Sequence, residues 1–241
     1  YGAGQGVVTS LLGSDRVVEL HHGYNPGFGG RAPEPIDRNL PELPDVVVEQ
    51  GCDLGMATDG DGDRIGLYDE NGQFVDPHRI LSLLVRYLYR QKNRRGRVIK
   101  TFTTTDMLDK LCDQYDLPLE VTPVGFKHIA AKMLDGGVLI GGEESGGIAI
   151  GGSIPERDGI SIGLAVAEMM AQRGKPLSEL VEELFEVVGP HHYHRSDLHT
   201  SEAAKRAFLE RMEQGVDRVA GHPVRTMEDL DGFKFRMDDG W

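Results

Sequence analysis

Three aspartates alternate with glycines in residues 58–64, Thr-Asp-Gly-Asp-Gly-Asp-Arg. Glycine lets the backbone turn tightly, so Asp59, Asp61 and Asp63 can converge on one centre, where their charges repel unless a cation neutralises them. An oxygen-only ligand set without Cys or His favours Mg²⁺, Mn²⁺ or Ca²⁺ over zinc. Arg64 follows directly, and its guanidinium can hold a phosphate beside the metal. The loop therefore predicts a divalent-metal site suited to phosphate chemistry.

Two other interpretations of this loop stay open. With Asp59 as position 1 of an EF-hand calcium loop, Glu70 falls at position 12, but Arg64 occupies position 6, where that loop requires glycine. The flanking residues also have the pattern of a strand and a hairpin, whereas an EF-hand needs helices. The other alternative is a solvated acidic turn that binds no metal.

A second glycine-rich loop, residues 141–147, follows a predicted strand. Open α/β sheets bind ligands at the carboxyl ends of their strands. Glu143 can accept and Ser145 can donate or accept hydrogen bonds, which suits the vicinal hydroxyls of a sugar. A hydrolase nucleophile at Ser145 is disfavoured because the first glycine of the required G-x-S-x-G motif is replaced by Glu143. A structural turn without ligand is the remaining alternative.

Weaker signals lie in two further places. Residues 122–128 join a predicted strand to a helix, so Gly125 and Lys127 fall at a helix N-terminus, where anions bind well. Lys100 lies near the end of another predicted strand. Each is a candidate contact to a phosphate.

The elements that position these loops alternate between strand and helix, which favours layered α/β/α domains with mixed sheets. Asn71-Gly72 between apolar runs predicts a hairpin, and Asp76-Pro77 predicts a capped helix start. Domain boundaries are expected near residues 75 and 190, with an incomplete α+β piece after the second. Predicted helices cover residues 7–12, 44–51, a segment from 76 through 88, 106–115, 126–134, 159–172, 177–188 and 202–212. Predicted strands cover residues 16–20, 54–58, 65–68, 73–75, 98–102, 119–124, 138–141, 191–198 and 233–237.

Composition excludes several classes of protein. The chain of 241 residues has 39 Asp and Glu against 26 Lys and Arg, a net charge of −13, so nucleic acid is a poor partner. Only two cysteines occur, Cys52 and Cys112, which excludes a disulfide framework and a CxxC zinc site. No apolar run reaches the ~18 residues of a membrane span. We expect a cytoplasmic protein that binds neither nucleic acid nor membrane; its oligomeric state is left open.

Taken together, these motifs resemble the α-D-phosphohexomutases, the phosphoglucomutase and phosphomannomutase superfamily. Residues 59–64 resemble its magnesium loop, 122–127 its interdomain substrate loop and 142–146 its sugar-binding loop, in the family's order. Residues 25–35 and 155–160 also resemble family segments. The resemblance implies that residues 1–75 belong to the second mutase domain, 76–189 to the third and 190–241 to the start of the fourth, phosphate-binding domain.

The resemblance also implies an activity, the reversible movement of phosphate between O1 and O6 of glucose or mannose. A phosphoserine and a bisphosphate intermediate (glucose 1,6-bisphosphate or its mannose equivalent) would take part, with Mg²⁺ bridging the phosphoserine. The implied metal ligands are Asp59, Asp61 and Asp63. The implied substrate-binding residues are Gly125, Lys127, Glu143 and Ser145, and the implied catalytic residues are Arg64 and Lys100. The Glu143-Glu144-Ser145 form of the loop resembles gluco- and manno-specific members more than amino-sugar ones.

Two family motifs do not occur in these 241 residues. No Thr-Ala-Ser-His-Asn-Pro-like phosphoserine segment is present, and no Arg-x-Ser-Gly-Thr-Glu-Pro-like phosphate loop. The chain starts without methionine and stops in mid-pattern, so we expect a fragment that is inactive alone. The competing hypothesis is a non-catalytic sugar-phosphate or calcium-binding module.

Overall fold

Eight α-helices, two short 3₁₀ helices (Phe28–Gly30 and Asp37–Asn39) and eleven strands make up the part of the chain that the computed structural model describes, residues 1–238 and 240–241. They form two units, Tyr1–Pro190 and His191–Trp241. None of the helices in the described residues is both long and apolar enough to cross a bilayer. The helices are α1 (Val7–Leu12), α2 (Leu43–Gln50), α3 (Pro77–Arg90), α4 (Met107–Tyr115), α5 (Phe126–Leu134), α6 (Gly159–Arg173), α7 (Leu177–Val188) and α8 (Glu202–Glu213). The strands are β1 (Gly55–Thr58), β2 (Ile65–Tyr68), β3 (Phe74–Val75), β4 (Arg97–Thr101), β5 (Leu119–Thr122), β6 (Val138–Gly142), β7 (Ile148–Ile150), β8 (Arg218–Val219), β9 (His222–Pro223), β10 (Thr226–Glu228) and β11 (Lys234–Arg236).

A small antiparallel sheet in the order β1-β2-β3 positions the acidic loop. Thr58 pairs with Ile65, so the turn between β1 and β2 consists of residues 59–64. The next turn is closed by Asp69, whose carboxylate accepts hydrogen bonds from the amides of Asn71 and Gln73, each at 2.9 Å. Such a side-chain turn fixes the register of the hairpin. The predicted hairpin is confirmed.

The larger sheet has the order β5-β4-β6-β7 and is mixed. Strand β4 runs parallel to both β5 and β6, whereas β7 is antiparallel to β6. The carboxyl ends of β4, β5 and β6 therefore meet at one edge of the sheet. The loops that contain Gly125 and Glu143 start from that edge, because they follow β5 and β6.

Helices cover both faces of this sheet. Neighbouring residues of a strand point to opposite faces. Ile99 packs with Ile129 of α5 in one apolar cluster, while Val98 packs in a second cluster with Leu84 of α3 and Leu111 of α4. The predicted α/β fold with helices and mixed sheets is confirmed.

Helix α3 is the centre of the larger core. Its first turn is capped by Asp76, whose side chain accepts a hydrogen bond from the backbone N–H of Arg79 at 3.1 Å. The predicted start of this helix is confirmed. The cluster that surrounds α3 also includes Ile65 and Leu67 of β2, so one continuous core joins residues before and after position 75. The division of this unit near residue 75 stays a prediction.

The second unit consists of α8 and two short hairpins, β8-β9 and β10-β11. Ser201 caps α8 by accepting a hydrogen bond from the amide of Ala204 at 3.2 Å. Met227 pairs with Phe235 in the second hairpin. The predicted helix at residues 202–212 and the strand at 233–237 are confirmed.

Two predicted strands are wrong. Residues 16–20 form turns and irregular backbone, and Glu19 contacts α1 by accepting hydrogen bonds from the amide of Gly6 and the hydroxyl of Thr9. Residues 191–198 are irregular and mostly exposed. A strand needs a partner backbone as well as an alternating pattern, and in the described residues neither segment pairs with one.

Candidate functional site

The acidic loop is organised by its first carboxylate. Asp59 is only 4% exposed, and its Oδ1 accepts hydrogen bonds from the backbone amides of Gly62 (3.1 Å), Asp63 (3.0 Å) and Arg64 (3.1 Å). Gly62 has a φ of +83°, a value that glycine adopts without strain. The loop is therefore curled around Asp59 by its own backbone.

The three aspartates converge as the spacing predicts. One carboxylate oxygen from each of Asp59, Asp61 and Asp63 lies within 4.8 Å of the others. All three donors are hard oxygens, and the set matches what Mg²⁺, Mn²⁺ or Ca²⁺ prefers. The donor chemistry and the convergence both fit a divalent cation.

Positive side chains shape the electrostatics of this loop. Arg64 donates from Nε to Asp59 Oδ2 at 2.6 Å and lies 3.5 Å from Glu34. Burial alone would raise the pKa of Asp59, but the hydrogen bonds from Arg64 hold it below its usual range. Burial raises the pKa of Asp63 to about 6, with Arg157 opposing and Asp59 adding to the increase.

The second glycine-rich loop is the turn between β6 and β7. The amide of Glu143 donates to the carbonyl of Gly147 at 3.0 Å, which closes the turn. Gly146 has a φ of +96°, and a Cβ there would lie 2.5 Å from the carbonyl oxygen of Ile65. The amide of Ile65 in turn donates to the carbonyl of Gly146 at 3.1 Å. The backbone of this loop is thus joined directly to the end of the acidic loop, at a point where only glycine fits.

Glu143 is held in place from three sides. Its Oε1 accepts a hydrogen bond from the amide of Gly125 at 3.2 Å, and its Oε2 accepts from Ser145 Oγ and Arg157 Nη1, both at 3.4 Å. The residue is 5% exposed, and burial raises its pKa, while Arg157 opposes the increase. The carboxylate is therefore a partly desolvated acceptor at the wall of a cavity that it helps to line.

Arg157 is a site residue that the sequence analysis did not identify. Its Nη2 pairs with Asp63 Oδ2, and its Nη1 lies 3.4 Å from Glu143 Oε2. It lies just before α6, whose first amide, that of Gly159, donates to the carbonyl of Gly62 at 3.0 Å. Arg157 lies within residues 155–160, and the resemblance of this segment to the family was the sequence feature that could have identified it.

A cavity of about 440 Å³ lies beside the two loops, and Asp59, Asp61 and Asp63 are not part of its lining. Five of the residues selected from the sequence line it, namely Arg64, Gly125, Lys127, Glu143 and Ser145. Arg157 and Glu144 line it as well. The lining combines three cationic side chains with the carboxylates of Glu143, Glu144 and Glu156 and the hydroxyl of Ser145. Such a set can bind a ligand that has both phosphate and sugar hydroxyl groups.

Lys100 lies elsewhere. It is 1% exposed, and its Nζ donates to the carbonyl of Thr105 at 3.0 Å and pairs with Asp109. It does not line the 440 Å³ cavity. The neighbouring Thr101 donates from Oγ1 to Glu144 Oε2 at 3.0 Å, so the end of β4 supports the β6–β7 loop. The catalytic role inferred for Lys100 stays a prediction.

The chain is similar to models of one family along most of its length. Residues 1–72 match the model described as phosphoglucomutase/phosphomannomutase, alpha/beta/alpha domain II, and residues 76–188 match domain III of the same family. A phosphoglucomutase/phosphomannomutase of Thermococcus kodakarensis is 30% identical over 94% of this chain and 47% of its own length. A phosphoglucosamine mutase of Rubrobacter xylanophilus is 40% identical over 54% of this chain and 29% of its own length.

A solved structure shows the same fold. The crystal structure of a Thermus thermophilus protein, provisionally named a phosphomannomutase, superposes with a TM-score of 0.82 at 34% identity. The match covers 98% of this chain and 51% of that one. The chain thus spans about half the length of the relatives it matches over most of its residues.

Proposed function

Because this chain belongs to the phosphoglucomutase/phosphomannomutase family, we propose that it forms the metal-binding and sugar-binding part of a hexose-phosphate mutase. The observation that supports this most strongly is the joining of two loops at one cavity. The acidic loop contains the metal triad and reaches the cavity through Arg64, and the β6–β7 loop contains Glu143 and Ser145. The amide of Ile65 donates to the carbonyl of Gly146 and so joins the two. The reaction proposed is the transfer of a phosphoryl group between O1 and O6 of a hexose.

Each side chain has a role that its geometry supports. Asp59, Asp61 and Asp63 would hold Mg²⁺, which supplies charge neutralisation to the transferring phosphoryl group when bound. Arg64 and Lys127 line the cavity as cations and would bind phosphate oxygens there.

The sugar would be held by the β6–β7 loop. Glu143 accepts and Ser145 donates or accepts hydrogen bonds, so two neighbouring sugar hydroxyls can be satisfied together. The amide of Gly125 already donates to Glu143, which fixes the carboxylate before the sugar binds. We propose that Lys100 acts indirectly: it fixes the end of β4 by donating to the carbonyl of Thr105, and the adjacent Thr101 donates to Glu144 of the β6–β7 loop.

The phosphoryl donor is proposed to be a phosphoserine of the kind the family uses. No segment of these 241 residues resembles that motif, so this chain supplies the metal and sugar sites only. A hexose 1,6-bisphosphate is the proposed intermediate and activator.

The identity of the sugar is a finer proposal. Glucose and mannose phosphates are proposed from the Glu143-Glu144-Ser145 form of the loop. Phosphoglucosamine mutases are also among the relatives, so glucosamine phosphate is the competing substrate. Comparison of kcat/KM for the three 1-phosphates, in the protein that contains this chain, separates these candidates.

The calcium-module alternative loses support from the fold. An EF-hand places its loop between two helices, whereas residues 59–64 connect β1 and β2 of an antiparallel pair. A non-catalytic sugar-phosphate module remains the alternative to a mutase.

Two measurements test the proposal. Mn²⁺ titration of this chain, followed by electron paramagnetic resonance, should show binding that the Asp61→Asn variant loses; equal affinity in the two proteins would overturn the metal site. In the protein that contains this chain, Glu143→Gln should cost about 2–4 kcal/mol of transition-state stabilisation, a ~30- to ~900-fold loss in kcat/KM. The control is Glu179→Gln on α7, which removes a surface carboxylate paired with Lys175. If Glu143→Gln behaves like this control, the loop is only a structural turn.

A further inference from the structure

Arg157 is the only side chain in the described residues whose ion pairs join an aspartate of the acidic loop to Glu143. Its guanidinium presents separate nitrogens to the two carboxylates, Nη2 to Asp63 and Nη1 to Glu143. The guanidinium carbon also lies 5.5 Å from the centroid of the Phe126 ring, at the start of α5. One cation is therefore shared between the predicted metal ligands and the predicted sugar ligand.

The three aspartates differ in what else they contact. Asp59 is held by loop amides and by Arg64, and Asp61 is exposed. Asp63 is the one whose partner outside the loop also contacts Glu143. A divalent cation that takes an oxygen of Asp63 must share this carboxylate with the guanidinium of Arg157, and the two positive charges repel each other at short range.

We propose that Arg157 competes with the divalent cation for Asp63, and that this competition couples metal binding to the position of Glu143. The proposal rests on the metal site proposed above. When the cation neutralises Asp63, this carboxylate attracts Arg157 less strongly. The guanidinium of Arg157 then pairs more closely with Glu143, its other partner. The sugar ligand is then held differently according to whether the metal site is filled.

A nearby amide reports this change. Gly125 donates its N–H to Oε1 of Glu143 at 3.2 Å, while Arg157 contacts Oε2 of the same carboxylate. A shift of Arg157 toward Glu143 withdraws electron density from that carboxylate and weakens the hydrogen bond from Gly125. The ¹⁵N–¹H resonance of Gly125 should therefore move when a metal binds at the aspartates, even though Gly125 is not itself a metal ligand.

The experiment is a Mg²⁺ titration of the ¹⁵N-labelled chain, with the amides of Asp63 and Gly125 followed by NMR, and a parallel Mn²⁺ titration by electron paramagnetic resonance. Wild type is compared with Arg157→Met, with Arg157→Lys and with Arg173→Met. Arg173 lies at the far end of α6 from Arg157 and pairs with Glu183 of α7. The Arg173→Met variant removes one positive charge there, so it controls for net charge. Far-UV circular dichroism establishes that each variant is folded.

In wild type and Arg173→Met, both amides should shift with one and the same binding curve. In Arg157→Met, the Asp63 amide should still shift, the Gly125 amide should stay in place, and Mn²⁺ should bind about tenfold tighter because a neighbouring positive charge is gone. Arg157→Lys keeps the charge and should retain an affinity close to that of wild type.

The results that overturn the coupling are distinct from those that overturn the metal site. Suppose that wild type binds Mn²⁺, that Arg157→Met binds it with wild-type affinity, and that the Gly125 resonance of this variant still moves on Mg²⁺ addition as it does in wild type. The coupling is then wrong and the metal site stands. If neither wild type nor Arg157→Met binds Mn²⁺, both are wrong. Binding by Arg157→Met alone would support the competition.

Discussion

Replacement of Asp59 by asparagine should separate the structural role of the acidic loop from its role in metal binding. The carboxylate accepts three backbone hydrogen bonds through Oδ1 and one from Arg64 through Oδ2. The asparagine side chain of the Asp59→Asn variant can still accept through Oδ1, but its amide group would present a donor to Arg64. Loss of the charged hydrogen bond costs ~1.5–3 kcal/mol, and the three amides gain a weaker, neutral acceptor. We expect the unit to lose about 3 kcal/mol of stability, which corresponds to a fall in Tm of roughly 6–12 °C for a unit of this size.

The assay is thermal unfolding followed by far-UV circular dichroism, in EDTA so that metal binding adds no stability. Tryptophan fluorescence is unsuitable, because the sole tryptophan, Trp241, lies in the second unit. The matched control is Asp61→Asn. Asp61 is exposed, so this variant should unfold within ~0.5 kcal/mol of wild type while it loses metal binding.

The pH dependence provides a second check on the same residue. The pKa of Asp59 in the folded chain lies below its usual range. The ionised carboxylate therefore contributes stability above the unfolded pKa of ~3.9, and this contribution disappears as the pH falls through the folded value. The difference in Tm between wild type and Asp59→Asn should narrow below about pH 4. An Asp59→Asn variant as stable as Asp61→Asn at neutral pH would refute the structural role of Asp59.

Three further predictions concern other parts of the chain. Lys175, together with Arg86 and Arg173, lowers the pKa of Glu183 to about 2. Glu183→Gln should therefore lose about 1 kcal/mol of unfolding free energy at neutral pH. In an acid-unfolding series this loss should vanish as the pH falls from ~4.5 toward 2. A Cβ on Gly66 would lie 2.2 Å from the carbonyl oxygen of Pro35, so Gly66→Ala should lower the unfolding free energy measured in urea by ~2–4 kcal/mol. A Cβ on Gly23 would lie in open space, so Gly23→Ala should be neutral. Equal costs for the two variants would contradict this packing. The chain alone should not convert glucose 1-phosphate in the presence of Mg²⁺ and glucose 1,6-bisphosphate, and turnover by rigorously purified chain would reveal a catalytic nucleophile within these 241 residues.

Features that depend on neighbouring residues could be predicted from the sequence. The cap at Asp76, the turn built on Asp69 and the convergence of the acidic loop each involve groups no more than five residues apart. These hydrogen bonds do not depend on distant parts of the chain, so residue type and spacing were sufficient to predict them. For Gly146 the sequence could predict only one of two requirements. The positive φ of the turn is a local property, whereas the close contact with Ile65 comes from a distant part of the chain.

Boundaries and isolated strands were predicted less well. Strand β5 ends at Thr122, two residues before its predicted end, because Pro123 has no N–H to donate to a neighbouring strand. Residues 16–20 and 191–198 have strand-like patterns but pair with no strand in the described residues. An alternating pattern shows that a segment could form a strand, and the presence of a partner is a property of the whole fold.

The sequence by itself determined which loops hold the candidate metal and sugar ligands, because each set lies within one short segment. Only the tertiary structure decided that these two loops meet, through the hydrogen bond from the Ile65 amide to the Gly146 carbonyl and through Arg157. It also decided that Lys100 turns away from the cavity toward Asp109. Arg157 lies 94 residues from Asp63 and 14 from Glu143. Local spacing contains no information about contacts over such separations, because they arise from how the two sheets and α6 pack around the core.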